Sequence, residues 1–384
     1  MVASGNIRVL FAGGGTGGHL YPAIRLAEGL REYARENGTA DPVIAFVGNP
    51  DGLEGRILQG KETFYPIQIQ GFHRGDAWTM FRRNLGFVPK LLHGYSQSRR
   101  ILDAFHPDVL VGTGGYVSGP PLLAAVRRGI PTLIQEQNSF PGITTRLLAK
   151  WVDEIHVNYQ EAASRLDGTH QIHLTGNPVR KVAIDMTAAA AKQELGIQEE
   201  TFLITVIGGS QGAEPINRHL AGRLEWYRSQ DGLSLLWQCG TAHLETYRHH
   251  QSQDLRIQVK GFLENMDVVH AASDLIIGRA GALTISELAM VGTASILIPL
   301  PTAAANHQYH NARSYANQGA AVVVEQSELP EGKLEDTIVR LRESPEQLGI
   351  MATCARGQAK PNATRDIINA IYNLAQEVTY VSEV

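Results

Sequence analysis

The chain has 384 residues, 43% of them hydrophobic and 19% charged, with a formal net charge of -4 and two cysteines. Such a length favours two domains of similar size, and the composition leaves little for long disordered tails. The charge excludes a surface basic throughout, as a nucleic-acid partner would need; Cys239 and Cys354 lack the spacing of a disulfide framework or a zinc site, which fits a reducing cytosol.

The first apolar run, residues 7–12 (IRVLFA), reads as a buried strand and leaves no room ahead of it for a signal peptide, so export is not expected. Further strand-like runs follow at 42–48, 64–69, 109–112, 132–136 and 154–158, each closed by Gly, Pro or Asn and followed by a helical pattern. That alternation predicts an α/β fold with a parallel sheet covered on both faces and right-handed crossovers. Asn177-Pro178 is a turn-forming pair, and the polar, Ala-rich stretch after it reads as a connection, so the boundary is set at 177/178. The strand grammar restarts at 201–209 and continues through 234–240, 256–262, 272–281, 294–300 and 320–325, giving a second doubly wound domain over 178–361. A last helix, about 362–384, is expected by analogy to cross back onto the first domain. No apolar run reaches the ~18 residues of a spanning helix, so any membrane contact is expected to be peripheral.

The loop from Gly13 to Ala23 (GGGTGGHLYPA) follows the first strand directly and enters a helix. Its glycines let the backbone approach an anion, with helix amides facing phosphate oxygens. A tight turn without a ligand is the competing reading. Gly13, Gly15 and Gly18 also satisfy the dinucleotide fingerprint, but the second strand ends in Val47-Gly48-Asn49 rather than the acidic residue that a ribose wants, which weighs against NAD. The second half carries GGSQGA, Gly208 to Ala213, in the equivalent place. Two such loops are expected to face one another across a cleft, holding diphosphates. Neither GxxxxGK[ST] nor a DxD pair occurs, so the charge of a leaving diphosphate is expected to be met by amides, a helix dipole and Arg.

Between Gly71 and Arg100 the single acid is Asp76, against Arg74, Arg82, Arg83, Lys90, Arg99 and Arg100. Trp78, Phe81, Leu85 and Val88 fall at helical spacing. An apolar edge rimmed by Arg82 and Arg83 would dock on an anionic membrane surface; a helix that packs its stripe inward is the plainer alternative.

Taken in order, GGGTGGH, GTGGYVSGP (112–120), QEQN (135–138), GNPVR (176–180), GGSQGA, GRAGALTISE (278–287) and NHQYHNA (306–312) resemble the MurG family over nearly the whole chain. The resemblance implies a GT-B fold, two doubly wound Rossmann-like domains facing across a cleft. It also implies an inverting transfer of GlcNAc from UDP-GlcNAc to the C4 hydroxyl of lipid I, giving lipid II, with no cofactor and no required metal, by a peripheral enzyme on the cytoplasmic face of the membrane. His19 matches the family's proposed general base, with Glu136 to orient it or replace it. Thr16, Gly17, Gly18, Asn138, Arg180, Ser210, Leu263, Ala282, Leu283, Thr284, Glu287 and Gln308 match donor positions, and Gly15, Tyr116 and Ser118 match the acceptor side. Glu287 suits a ribose diol, and Gln308 sugar hydroxyls. Gln135 stands where the family often has His, and Asn306 where it often has Asp, so each keeps hydrogen bonding without charge. His307 is then a second histidine near the donor. A transferase acting on another lipid and a UDP-GlcNAc epimerase on the same scaffold remain as alternatives.

Overall fold

The computed structural model describes residues 6–71, 87–166, 171–180, 186–209 and 211–382. The membrane-facing residues Trp78, Phe81, Arg82, Arg83 and Leu85, and the donor-loop residue Ser210, lie outside them. Internal contacts divide the chain into two units, Met1–Val179 with Asn362–Val384, and Arg180–Pro361.

The first unit is built on seven parallel strands in the order β3-β2-β1-β4-β5-β6-β7. These are β1 Arg8–Gly13, β2 Val43–Gly48, β3 Thr63–Pro66, β4 Val109–Gly114, β5 Thr132–Glu136, β6 Glu154–Val157 and β7 Gln171–His173. Near-continuous apolar runs mark the inner strands because helices cover both faces, and β1 and β4 bury almost every residue. β1 pairs with β4 (Val9 opposite Val109) and β4 with β5 (Leu110 opposite Thr132). Three neighbouring strands therefore end at Gly13, Gly114 and Glu136, and the loops that leave them share one edge of the sheet. The edge strand β7, reading Gln-Ile-His, has no apolar run and was not legible in the sequence.

The helix Gly17–Asn37 leaves the first loop and ends on Gly38 at φ 61°. It begins well ahead of Pro22, whose missing N–H leaves the Gly18 carbonyl without its helical partner. The helix Ala363–Ser382 buries Ile367, Ile368, Ile371 and Leu374 in one cluster with Leu20, Leu26, Leu30 and Phe11. A side chain at Gly29 would meet Ile368 and Thr364 at 2.7 and 2.8 Å, so the absence of a Cβ there is what lets the two helices approach.

The second unit has six parallel strands in the order β10-β9-β8-β11-β12-β13. Here β8 is Phe202–Ile207, β9 Leu233–Gln238, β10 Ile257–Lys260, β11 Leu275–Gly278, β12 Ser295–Leu297 and β13 Ala321–Val323. Its core gathers Ile204, Val206, Trp237, Leu275, Ile277 and Ile296. Strand order about β8 and β11 repeats that about β1 and β4, so the chain holds two Rossmann-like domains.

Candidate active site and donor loops

His19 sits in the first turn of the Gly17–Asn37 helix, half-buried. Its backbone carbonyl accepts from Thr113 Oγ1 at 2.7 Å, and its ring lies on the backbone at the end of β4, where a Cβ on Gly114 would come within 2.7 Å of Nδ1. Gly114 stands at φ 97°, closed to most side chains, so the GTGG sequence supplies both the turn and the room for the imidazole. Nδ1 lies 3.0 Å from Gln137 Oε1, the only hydrogen-bonding contact of the ring among the described residues.

Glu136 does not orient His19. Its carboxylate, 2% exposed, accepts from Asn138 N at 3.1 Å, Asn138 Nδ2 at 3.2 Å, Gly142 N at 3.0 Å and Thr145 Oγ1 at 2.7 Å. That set closes the turn after β5 and leaves Gln137, passed over in the sequence, as the partner of His19. Gln135 and Gln137 are both buried, and Gln135 Nε2 reaches Asn177 Oδ1 at 2.9 Å.

The first glycine loop has an occupant of its own. Glu54, 0% exposed, accepts from Gly15 N at 3.2 and 3.3 Å and from Asn49 N at 3.2 Å. The Gly15 amide is therefore taken by an internal carboxylate, and the amides left to a ligand are those of Thr16, Gly17 and Gly18. Tyr116 lies over this loop, its ring 3.0 Å from where a Gly15 Cβ would stand. Ser118 is 1% exposed and donates to Gly115 O at 2.9 Å, so its hydroxyl serves the turn rather than an acceptor.

In the second unit, the loop after β8 and the loop holding Leu263 are tied by one side chain. Gln238, the last residue of β9, donates through Nε2 to Gly209 O at 2.9 Å and accepts from Leu263 N at 3.2 Å. Leu263 packs its side chain into a small apolar cluster. Arg180 is exposed and pairs with Asp267 at 2.6 Å.

The helix Ala282–Val291 starts just past the end of β11, its N-cap Gly281 in extended backbone, so its first amides open toward the same edge as the β8 loop. Ala282 is buried, whereas Leu283, Thr284 and Glu287 are half-buried on that helix. Gln308 accepts from Leu300 N at 3.0 Å through Oε1, which leaves its amide NH2 end for a ligand. Asn306, at φ 53°, caps the helix His307–Asn317 in a conformation that Asn tolerates better than most residues. His307 Nδ1 is 2.8 Å from Ala304 O. Arg279 is spent on structure: it donates to Ile298 O and Pro299 O, each at 3.2 Å, and to Gln326 Oε1 at 2.7 Å, with burial lowering its pKa to about 10.

One apolar surface went unread in the sequence. Ile143, Leu147 and Trp151 are 42%, 63% and 55% exposed at helical spacing on and just after the helix Ile143–Leu148, with Arg146 and Lys150 exposed between them. In the same unit Val88, Leu91 and Leu92, on the helix Phe87–Phe105, are also exposed.

Comparison with known proteins decides the family. Residues 9–157 match the glycosyltransferase family 28 N-terminal domain and residues 203–370 the glycosyltransferase family 28 C-terminal domain. A "UDP-N-acetylglucosamine--N-acetylmuramyl-(pentapeptide) pyrophosphoryl-undecaprenol N-acetylglucosamine transferase" of Moorella thermoacetica is 39% identical over 95% of this chain and 98% of its own. Its counterpart in Halothermothrix orenii is 37% identical over 96% and 100%. The crystal structure of Acinetobacter baumannii MurG superposes with a TM-score of 0.76 at 28% identity, covering 96% of this chain and all of that one. The chain belongs to the MurG family of glycosyltransferases. A putative UDP-N-acetylglucosamine 2-epimerase of Listeria monocytogenes, at 16% identity and a TM-score of 0.63, shares the fold with the MurG family and carries no argument about chemistry.

Proposed function

We propose that the chain transfers GlcNAc from UDP-GlcNAc to the C4 hydroxyl of the MurNAc of lipid I, forming lipid II with inversion at the sugar carbon. The observation that carries this reading is the His19 imidazole, bonded through Nδ1 to Gln137 and with no partner on Nε2 among the described residues, in a member of this transferase family. A neutral imidazole takes the hydroxyl proton as the oxygen attacks the anomeric carbon and the bond from that carbon to the UDP oxygen breaks, releasing UDP. Nucleotide and diphosphate are assigned to Arg180, Ser210, the backbone of Leu263, the helix start Ala282-Leu283-Thr284, and Glu287 on the ribose. Asn138 and Gln308 are assigned to the donor sugar. The amides of Thr16, Gly17 and Gly18 are assigned to the donor as well, and the Tyr116 ring beside Gly15 to the acceptor side.

The enzyme works as a peripheral protein on the cytoplasmic face of the cell membrane, where a polyprenyl acceptor and UDP-GlcNAc meet. Among the described residues no helix is long and apolar enough to cross a membrane. The exposed Ile143, Leu147 and Trp151 beside Arg146 and Lys150 support docking on anionic lipid, together with the basic segment from Gly71 to Arg100.

The test is incubation with UDP-GlcNAc and lipid I, followed by mass analysis of the lipid and measurement of UDP. One added N-acetylhexosamine per acceptor is expected. Transfer to a diacylglycerol instead would make the chain a transferase to another lipid, and UDP-sugar isomerisation without any lipid would make it an epimerase.

A further inference from the structure

We propose that Gln137 is a positioning residue that sets the tautomer of His19, and that it is itself set by a relay of uncharged amides running back to Asn177. The proposal rests on the reading of His19 as the base.

The orientation of the Gln137 amide follows from its neighbours. Its Nε2 lies 2.9 Å from Thr113 O and 2.9 Å from Gln135 O, and it also contacts Gln135 Oε1. Three carbonyl oxygens around one atom require that atom to be the NH2 group. Oε1 is then the end that faces His19 Nδ1 at 3.0 Å. An amide oxygen only accepts, so Nδ1 carries the ring proton and the lone pair of the neutral imidazole is left on Nε2, the nitrogen without a partner among the described residues.

The same reasoning fixes the next amide. Gln135 Nε2 meets Asn177 Oδ1 at 2.9 Å and Gly176 O at 3.5 Å, which turns Gln135 Oε1 toward Gln137 Nε2. Asn177 Nδ2 closes the relay on Gln137 O at 3.3 Å. Gln135 is 0% exposed, and Gln137 and Asn177 are each 1% exposed, so water does not scramble these orientations.

A carboxylate in the place of Gln137 would also hold the ring, but it would favour the imidazolium. The amide fixes the tautomer without that bias. The titratable groups around the site are turned elsewhere: Glu136 to Asn138, Gly142 and Thr145, Glu54 to Gly15 and Asn49, and the Tyr116 ring onto Gly15.

Histidine-selective 15N labelling of the full chain reads the tautomer directly, with the His19 signals identified by their loss in His19→Ala. The Nδ1–H form is expected in the wild type, with a mixture of tautomers in Gln137→Ala. In the lipid I assay, Gln137→Glu is expected to move the acidic limb of the kcat profile to higher pH by roughly one on the pH scale or more. Gln137→Ala is expected to lower kcat about tenfold at unchanged donor KM. An Nε2–H ring in the wild type, or an unmoved acidic limb in a folded Gln137→Glu, overturns the proposal. Near-normal turnover by His19→Ala would sink the base assignment alone, leaving the tautomer result to stand by itself.

Discussion

Glu54 reaches under the first glycine loop and takes the Gly15 amide at 3.2 Å, so a loop with the composition of an anion cradle is already braced by a fully buried carboxylate. The same carboxylate accepts from Asn49 N at 3.2 Å, at the end of β2. No ion pair holds it among the described residues, and amides alone offset its burial. Glu54→Ala strands both amides. It is expected to lose about 2–6 kcal/mol in urea denaturation, from about 1–3 kcal/mol for each of the two amides left unpaired. Glu54→Gln keeps an oxygen at the shared Oε1 position but turns an NH2 toward Gly15 N, and should fall between the two. An alanine variant as stable as wild type would show that the brace is not needed.

His19 and Glu136 are expected to separate cleanly. His19→Ala should lower turnover at least ~100-fold while UDP binding, measured by calorimetry, is retained. Glu136→Ala should act first on stability, because four donors lose their acceptor at once, with a lowered melting temperature as the readout. A near-normal rate for His19→Ala would move the base to His307.

Donor binding is expected to depend on a residue that touches no ligand in the proposed scheme. Gln238 joins Gly209 O to Leu263 N, so Gln238→Ala frees two loops assigned to the nucleotide. A donor KM raised by about tenfold is expected at little change in kcat, alongside a raised donor KM for Glu287→Ala, which removes the proposed ribose contact. Unchanged donor affinity in Glu287→Ala would mean that the ribose lies elsewhere.

Local signals make much of this legible in the sequence. Apolar runs named every strand but β7, and glycine blocks marked the loops at β1, β4, β8 and β11, because burial on both faces and close backbone approach each leave a mark on adjacent residues. Gln137 and Glu54 left none. Their partners lie 118 and 39 residues away, and only the order β2-β1-β4-β5 brings them to one edge. Gln238 was hidden for the same reason, and the exposed stripe on Ile143–Leu148 because six helical residues are too few for a period to stand out.

That stripe predicts a membrane contribution separate from the Gly71 to Arg100 segment. Leu147→Ser with Trp151→Ser is expected to reduce flotation with anionic vesicles and to leave UDP binding intact, since both side chains are 55% or more exposed and hold no core. Flotation equal to wild type would confine docking to the basic segment, where Trp78→Ser with Phe81→Ser is the matching variant.

Stability toward acid is expected to depend on His270, on the helix Met266–Ala272. It is 5% exposed, Nδ1 has no partner among the described residues, and burial lowers its pKa to about 4 despite the opposing pull of Asp267. Above the ordinary value of about 6.5 the ring is neutral whether folded or unfolded, and it imposes no penalty. As pH falls from about 6.5 toward 4, the unfolded chain takes up a proton that the folded chain resists, so stability declines across that window and the loss levels off below it. The full penalty is about 3 kcal/mol. His270→Gln removes the titration, so the difference in unfolding free energy between the two proteins should grow in favour of the variant from pH 7 to pH 4. Parallel curves over that range would mean that His270 is protonated in the folded protein as readily as in the unfolded chain.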